Sequence, residues 1–245
     1  MEQVITQNDL FYKNYSLELC CRLLSLFSHS IQIYSKVFED CTIYDVGFML
    51  DESGSVNSNN WQDEEQFTKV IAKMANIKPD GGRASVITFA GNAHLDIKFK
   101  AYQNYNSFAR AVDNLRQSRG GTNIIRALNK GLSDMFQVRN GMRPESEKIA
   151  VLITDGQDSN GIKMYTQVAQ KYRQRNIKLI VVGVGSVDRT KLKKLVQRPE
   201  DLFVSRSFDD LLKSFVQGVA ENVQGSCKGI NCKNFCLQLN FDINK

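Results

Sequence analysis

The chain reads as an α/β protein: a doubly wound, mostly parallel, six-stranded sheet flanked by helices. Three observations predict this. From Cys41 onward, apolar runs such as Ile149-Ala150-Val151-Leu152-Ile153 alternate with stretches of helical length and period, the pattern of strands joined by crossover helices. Two of these runs end in acidic, glycine-containing turns, Asp51-Glu52-Ser53-Gly54 and Asp155-Gly156, as expected where a buried strand opens into a loop. No internal repeat or low-complexity tract breaks the alternation.

Composition agrees. At 245 residues and 42% apolar, the chain is long enough to bury a full core. No run approaches the roughly 18 apolar residues that span a bilayer.

The elements follow in order. Residues 1–40 form an N-terminal extension. Its Leu17, Leu19, Leu23, Leu24, Phe27, Ile31 and Tyr34 have near-helical spacing, which suits an amphipathic helix. Glu2 and Asp9 precede this stretch, and Glu18 and Arg22 interrupt it, so it does not read as a secretory leader. A misplaced start, a fragment, or export by a route not written here would each account for that. Asn14-Tyr15-Ser16 is a glycosylation sequon, meaningful only in an exported chain.

A strand over residues 43–50 leads through the Asp51 turn to a helix over 61–75. Asn60 is its expected cap, with Asp63, Glu64 and Glu65 in the first turn, where the helix dipole favours acids. Strands at 84–89 and 93–99 lie close enough in sequence for the second, which contains His94, to be an antiparallel edge. Helices at 105–116 and 124–136 bracket Arg119-Gly120-Gly121-Thr122-Asn123. There follow a strand at 148–154, a helix at 162–175, a strand at 178–184, a short helix at 189–196, a strand at 202–205 and a last helix at 208–223. Gly183-Val184-Gly185 lacks the spacing and lysine of a phosphate loop and reads as a turn.

The turn after the first strand carries the chemistry. In an extended loop, Asp51, Ser53 and Ser55 project to the same side. One carboxylate and two hydroxyls converging on a point suit a hard cation such as Mg2+ or Mn2+. Thr122 offers a third hydroxyl from a second loop, and Asp155 a second carboxylate at the end of a later strand. In open α/β sheets, ligands bind at these carboxyl ends. Glu52 alternates away from the cation, and Asp158 reads as a solvated turn residue, with an acid at the rim of the site or behind its ligands as the alternative. Catalysis is the poorer reading, because a metallohydrolase needs a general base or an activated nucleophile within reach; His29 lies in the extension, His94 at the start of a strand, and no carboxylate pair beyond the metal ligands stands out. The chain therefore reads as non-enzymatic.

With these five positions in this order, the chain resembles the von Willebrand factor type A family, whose Rossmann-like fold is shared with integrin I domains. The resemblance covers about residues 41–225, and matrilins and non-fibrillar collagens are the members most alike. It implies a metal-ion-dependent adhesion site, with Asp51, Ser53, Ser55, Thr122 and Asp155 as ligands to Mg2+ or Mn2+. The implied function is that of a secreted, extracellular adhesion or matrix module. Its metal would capture a Glu or Asp of a matrix or cell-surface protein, collagen among the candidates. An intracellular scaffold domain in a larger assembly is the alternative, and a metal-dependent hydrolase a lesser one. In integrin I domains the last helix moves on ligand engagement, which makes residues 208–223 the matching element here.

All six cysteines lie outside the α/β pattern: Cys20, Cys21, Cys41, Cys227, Cys232 and Cys236. The resemblance implies a Cys41–Cys227 disulfide closing the domain, with free thiols as the alternative. The tail, residues 226–245, could begin a further disulfide-rich module. Its C-x4-C-x3-C spacing, with no His nearby, is a poor zinc signature.

Charge adds one more expectation. Ten basic residues and one acid lie between Lys163 and Arg198, a net +9 against +6 for the whole chain. Lys171, Arg173, Arg175, Lys191, Lys193 and Lys194 are thus a candidate patch for glycosaminoglycan or another anion, with solvated helix faces as the plain alternative. No aromatic residues interleave with these charges for base stacking, which argues against nucleic acid.

Overall fold

A computed structural model describes residues 43–211 apart from Gln157, together with Gly218. The elements run β1 (Tyr44–Asp51), α1 (Ser58–Met74), β2 (Arg83–Phe89), β3 (Ala93–Ile97), α2 (Tyr105–Val112), α3 (Ile124–Lys130), β4 (Glu147–Thr154), α4 (Ile162–Gln174), β5 (Ile177–Val184), α5 (Arg189–Leu192), β6 (Leu202–Ser205) and α6 (Phe208–Asp210). The expected extension over residues 1–40, the Cys41–Cys227 pairing, the tail over 226–245 and most of the 208–223 helix lie outside the described residues.

The six strands are ordered β3-β2-β1-β4-β5-β6. All neighbours are parallel except β2 and β3, so the expected antiparallel edge is present. From β1 the chain builds outward to β2 and β3, then crosses back to place β4 on the other side of β1. The carboxyl ends of β1 and β4 therefore flank the switch point of the sheet, where a crevice opens for ligand.

Both faces of the sheet are covered, so its central strands are apolar on both sides. In β1, Val46, Phe48 and Leu50 point into a core shared with α1 and α2, and Met49 points into the core under α3 and α4. In β4, Ile149, Val151 and Ile153 face the first core while Ala150 and Leu152 face the second. This period of two is the pleat expressed in side chains. Gly47 is the exception that packing demands. A Cβ there would lie 2.2 Å from the Met135 sulfur and 3.0 Å from the Phe136 ring, so glycine lets these side chains of the segment after α3 rest directly on the sheet.

Three local expectations are corrected. α1 begins at Ser58, capped by Asn57, whose side chain accepts from the amides of Asn59 and Asn60. Asp63, Glu64 and Glu65 therefore lie beyond the first turn, and Glu64 and Glu65 are buried. The helix expected over 124–136 stops as an α-helix at Lys130 and continues as one π-helical turn, Gly131–Met135. The cause is Tyr172, whose hydroxyl donates to the Leu128 carbonyl at 2.8 Å and occupies the place a Cβ on Gly131 would take. The short helix ends at Leu192.

Candidate functional site

Asp51 is the last residue of β1 and is fully buried. One carboxylate oxygen, Oδ1, accepts the Ser53 amide at 3.0 Å. The other accepts the hydroxyl of Thr154 at 2.5 Å. Thr154 ends β4, beside β1 in the parallel register that pairs Leu50 with Ile153. The Ser53 and Ser55 hydroxyls lie 3.0 Å apart, and the Ser55 hydroxyl donates to Asp155 Oδ1 at 2.8 Å. The structure thus joins Asp51, Ser53, Ser55 and Asp155 in one polar chain across the switch point. Thr122 lies against the turn that follows Asp155: a Cβ on Gly156 would lie 2.8 Å from the Thr122 hydroxyl oxygen, so glycine at 156 makes room for that side chain.

The loops are pinned to one another. Gly54 donates its amide to the Gly120 carbonyl at 2.9 Å, and Arg119 donates its amide to the Glu52 carbonyl at 3.1 Å. The Glu52 carboxylate accepts the Ser118 amide at 2.9 Å, pointing away from the hydroxyl cluster as its alternation predicts. Gln117 reaches back to the carbonyls of Ser53 and Val56. Arg119 and Gly120 both adopt positive φ, 59° and 137°; this local reversal brings the Thr122 loop against the Asp51 loop.

Asp158 is another correction: it is a buried anchor, not a solvated turn residue. Its carboxylate accepts the Ile124 amide at 3.1 Å and the Tyr165 hydroxyl at 2.9 Å, and Lys191 pairs with it at 3.8 Å. It thereby holds the first amide of α3, two residues beyond Thr122, while the Asn123 side chain caps the helix.

Two contributors escaped sequence reasoning. Thr154 reads as an ordinary strand end, and only the register puts its hydroxyl on Asp51. Glu64 reads as a helix-dipole acid, yet it is fully buried and its Oε1 accepts the Asp51 amide at 2.8 Å. Its Oε2 has no hydrogen-bond partner among the described residues. The available signal was an acid on the apolar face of α1.

Electrostatically the site is an acid cluster. Burial pushes the Asp51 carboxyl up from 3.8 to about 6, against its hydrogen bonds from Ser53 and Thr154. Burial also raises Asp155. Glu64 is raised well above the ordinary range, first by burial and then by the charge of Asp51. Among the described residues, no Lys or Arg ion pair offsets Asp51 or Asp155. Buried carboxylates without a cation, ringed by hydroxyls, are what a hard divalent ion would stabilise.

The basic residues separate into groups. Lys171 and Arg175 line one groove, with Arg126 and Lys130 of α3, and Arg173 lines another with Lys178 and Arg198. Lys191 turns inward, donating to the Asp158 carbonyl at 2.8 Å and lying over the Tyr165 ring. Lys193 and Lys194 are exposed just beyond α5.

Comparison with known proteins agrees with this architecture. The model of the von Willebrand factor type A domain matches residues 45–222. Collagen alpha-1(XII) chain of Notophthalmus viridescens is 29% identical over 194 residues, covering 78% of this chain and 21% of that one. Matrilin-2 of Mus musculus is 28% identical over 202 residues, covering 79% and 21% respectively. The chain thus spans about a fifth or less of the length of most of these relatives. Among solved structures, proximal thread matrix protein 1 from the mussel byssus superposes with a TM-score of 0.67 at 29% identity, covering 76% of this chain and 47% of that one. A second structure of the thread protein, described as having a zinc-occupied MIDAS motif, gives 0.68 at 27% identity, with 76% and 46% covered.

Proposed function

The chain belongs to the von Willebrand factor type A domain family, and from that premise we propose that it is a secreted, extracellular adhesion module. In this reading Asp51, Ser53, Ser55, Thr122 and Asp155 hold a divalent cation, Mg2+ or Mn2+, and the cation binds an acidic side chain of a matrix protein.

The observation that carries this reading is the convergence of oxygens at the switch point: Ser55 bridges the Ser53 hydroxyl and the Asp155 carboxylate, beside an Asp51 carboxylate that is buried with no cationic partner among the described residues. The donor set is all oxygen and carries two carboxylates, a match for a hard cation. The zinc in the mussel thread protein's motif supports a divalent ion at this place in the fold.

Exposure fits the second half of the reading. Asp51 and Ser53 are buried, Asp155 is half-buried and Ser55 is exposed, so the cation would be held from below and open above. Two carboxylates only just neutralise a divalent charge, which leaves the ion able to attract a partner's carboxylate. When bound, the cation supplies electrostatic attraction; the chain's own residues orient it and exclude water beneath it. The relatives are collagens and a matrilin, which supports a structural role in the matrix and makes a collagenous or other matrix protein the first partner to try.

Calorimetric titration of Mg2+ and Mn2+ into chelator-treated protein, beside Asp155→Asn, tests the site. Saturable binding lost in the variant is expected; equal binding by both proteins would refute the assignment. Immobilised matrix proteins with and without chelator then test the partner, and capture that persists in chelator would refute metal-mediated adhesion.

A further inference from the structure

We propose that the groove between α3 and α4 is a second binding site, independent of the metal, for a sulfated polysaccharide chain. The groove has a volume of about 630 Å3, within the size range of sites that hold small ligands or one segment of a longer one. Four cations line it, Arg126 and Lys130 from α3 with Lys171 and Arg175 from α4 and its cap, and no acid does.

Two of these cations, Arg126 and Arg175, are held in place without being neutralised. Arg126 donates to the Gly91 carbonyl at 2.6 Å and to the Asn92 side chain at 2.5 Å. Arg175 donates to the Leu132 carbonyl at 2.7 Å. A carbonyl or amide oxygen fixes a guanidinium but leaves its full charge available to an anion. Among the described residues, Lys130 alone of the four has a carboxylate partner, Asp134, which Arg139 shares. Lys171 is exposed on α4, with no ion pair among the described residues. Pre-placed, uncompensated charge lowers the ordering cost of binding and sums to a local positive field.

The remaining lining selects among polyanions. Asn129, Ser133 and Gln174 offer amide and hydroxyl groups, which suit sugar hydroxyls. Among the described residues, no aromatic ring on which a nucleobase could stack lines the groove, as single-stranded nucleic acid sites use. Its one apolar residue, Leu132, is buried, so nothing projects to enter a lipid surface. A flexible, regularly sulfated chain can lay successive sulfates on Arg126, Lys130, Lys171 and Arg175. The extracellular setting proposed above makes such a polymer available; the geometry of the groove does not depend on the metal site.

The experiment is calorimetric titration of the full chain with a heparin hexasaccharide at about 0.15 M salt, in the presence of chelator. Saturable binding is expected. Lys171→Ala/Arg175→Ala should weaken it by roughly tenfold and flatten its salt dependence. Lys193→Ala/Lys194→Ala, the same loss of charge outside the groove, should change it by less than about twofold. Lys171→Glu alone, at an exposed helix position, should also weaken it while leaving the thermal midpoint unchanged, separating binding from folding. Asp155→Asn should bind heparin like the wild type, so failure of the metal site would leave this result intact. No wild-type binding, equal losses in the two double variants, or equal affinity for desulfated heparin, single-stranded DNA or anionic vesicles would each overturn the proposal.

Discussion

Asp51 should destabilise the metal-free protein that it serves. Its carboxylate is fully buried, and burial raises its pKa from 3.8 to about 6. The folded state therefore holds the proton more tightly than the unfolded chain. Between about pH 4 and pH 6 the folded form binds more protons, so stability falls as pH rises through that window. Each pKa step is worth about 1.4 kcal/mol, which puts the full cost of ionised Asp51 near 3 kcal/mol at neutral pH. Asp51→Asn removes the ionisation while keeping the shape. Its amide oxygen can still accept the Ser53 amide, and its NH2 can donate to the Thr154 hydroxyl. Urea unfolding in chelator at pH 7 should therefore show the variant more stable than the wild type, by up to about 3 kcal/mol, with the gap closing near pH 4. Adding Mg2+ at a hundredfold excess over its dissociation constant should stabilise the wild type by about 2.7 kcal/mol and the variant not at all. A variant less stable than the wild type in chelator at pH 7, or a gap independent of pH, would refute the reasoning.

Glu64 should behave alike in direction. Its raised pKa means that stability is lost as pH rises from 4.5, so Glu64→Gln, which keeps the acceptor for the Asp51 amide, should flatten that slope. Thermal melts in chelator from pH 4.5 to 8 check this, and parallel curves for the two proteins would contradict it. Asp158→Ala strips the Ile124 amide, the Tyr165 hydroxyl and Lys191 of their shared acceptor; a loss of about 3–5 kcal/mol in denaturant unfolding is expected, with weaker Mg2+ binding as Thr122 loosens. Gly131→Ala drives a methyl onto the Tyr172 hydroxyl and should cost about 1–3 kcal/mol. Adding Tyr172→Phe should recover part of that loss, a coupling a double-mutant cycle would measure.

Much of the fold was legible because the sheet is buried on both faces. Continuous apolar strands such as 149–153 stand out, and each must end in a loop where polar residues reappear. Asp51, Ser53, Ser55 and Asp155 lie on such ends, within two residues of a strand or in the turn that follows, so local spacing alone brought them to notice. The start of α1 was misplaced by three residues because Asn57 and Asn60 are equally good caps on paper, and the choice depends on where the preceding turn leaves the chain. The π-helical turn was invisible because its cause, Tyr172, is 41 residues from Gly131.

By itself, then, the sequence determined the order of strands and helices and the oxygen-bearing loops, since these follow from short-range periodicity and turn chemistry. Only the tertiary structure decided what surrounds them. It set Thr154 on Asp51 through the β1–β4 register, buried Glu64 behind the site, and made Asp158 an anchor. It also divided one basic stretch into an inward-facing lysine, exposed helix residues and a groove shared with α3. Each of those outcomes depends on contacts between segments distant in the chain, and packing, unlike periodicity, is not written in neighbouring residues.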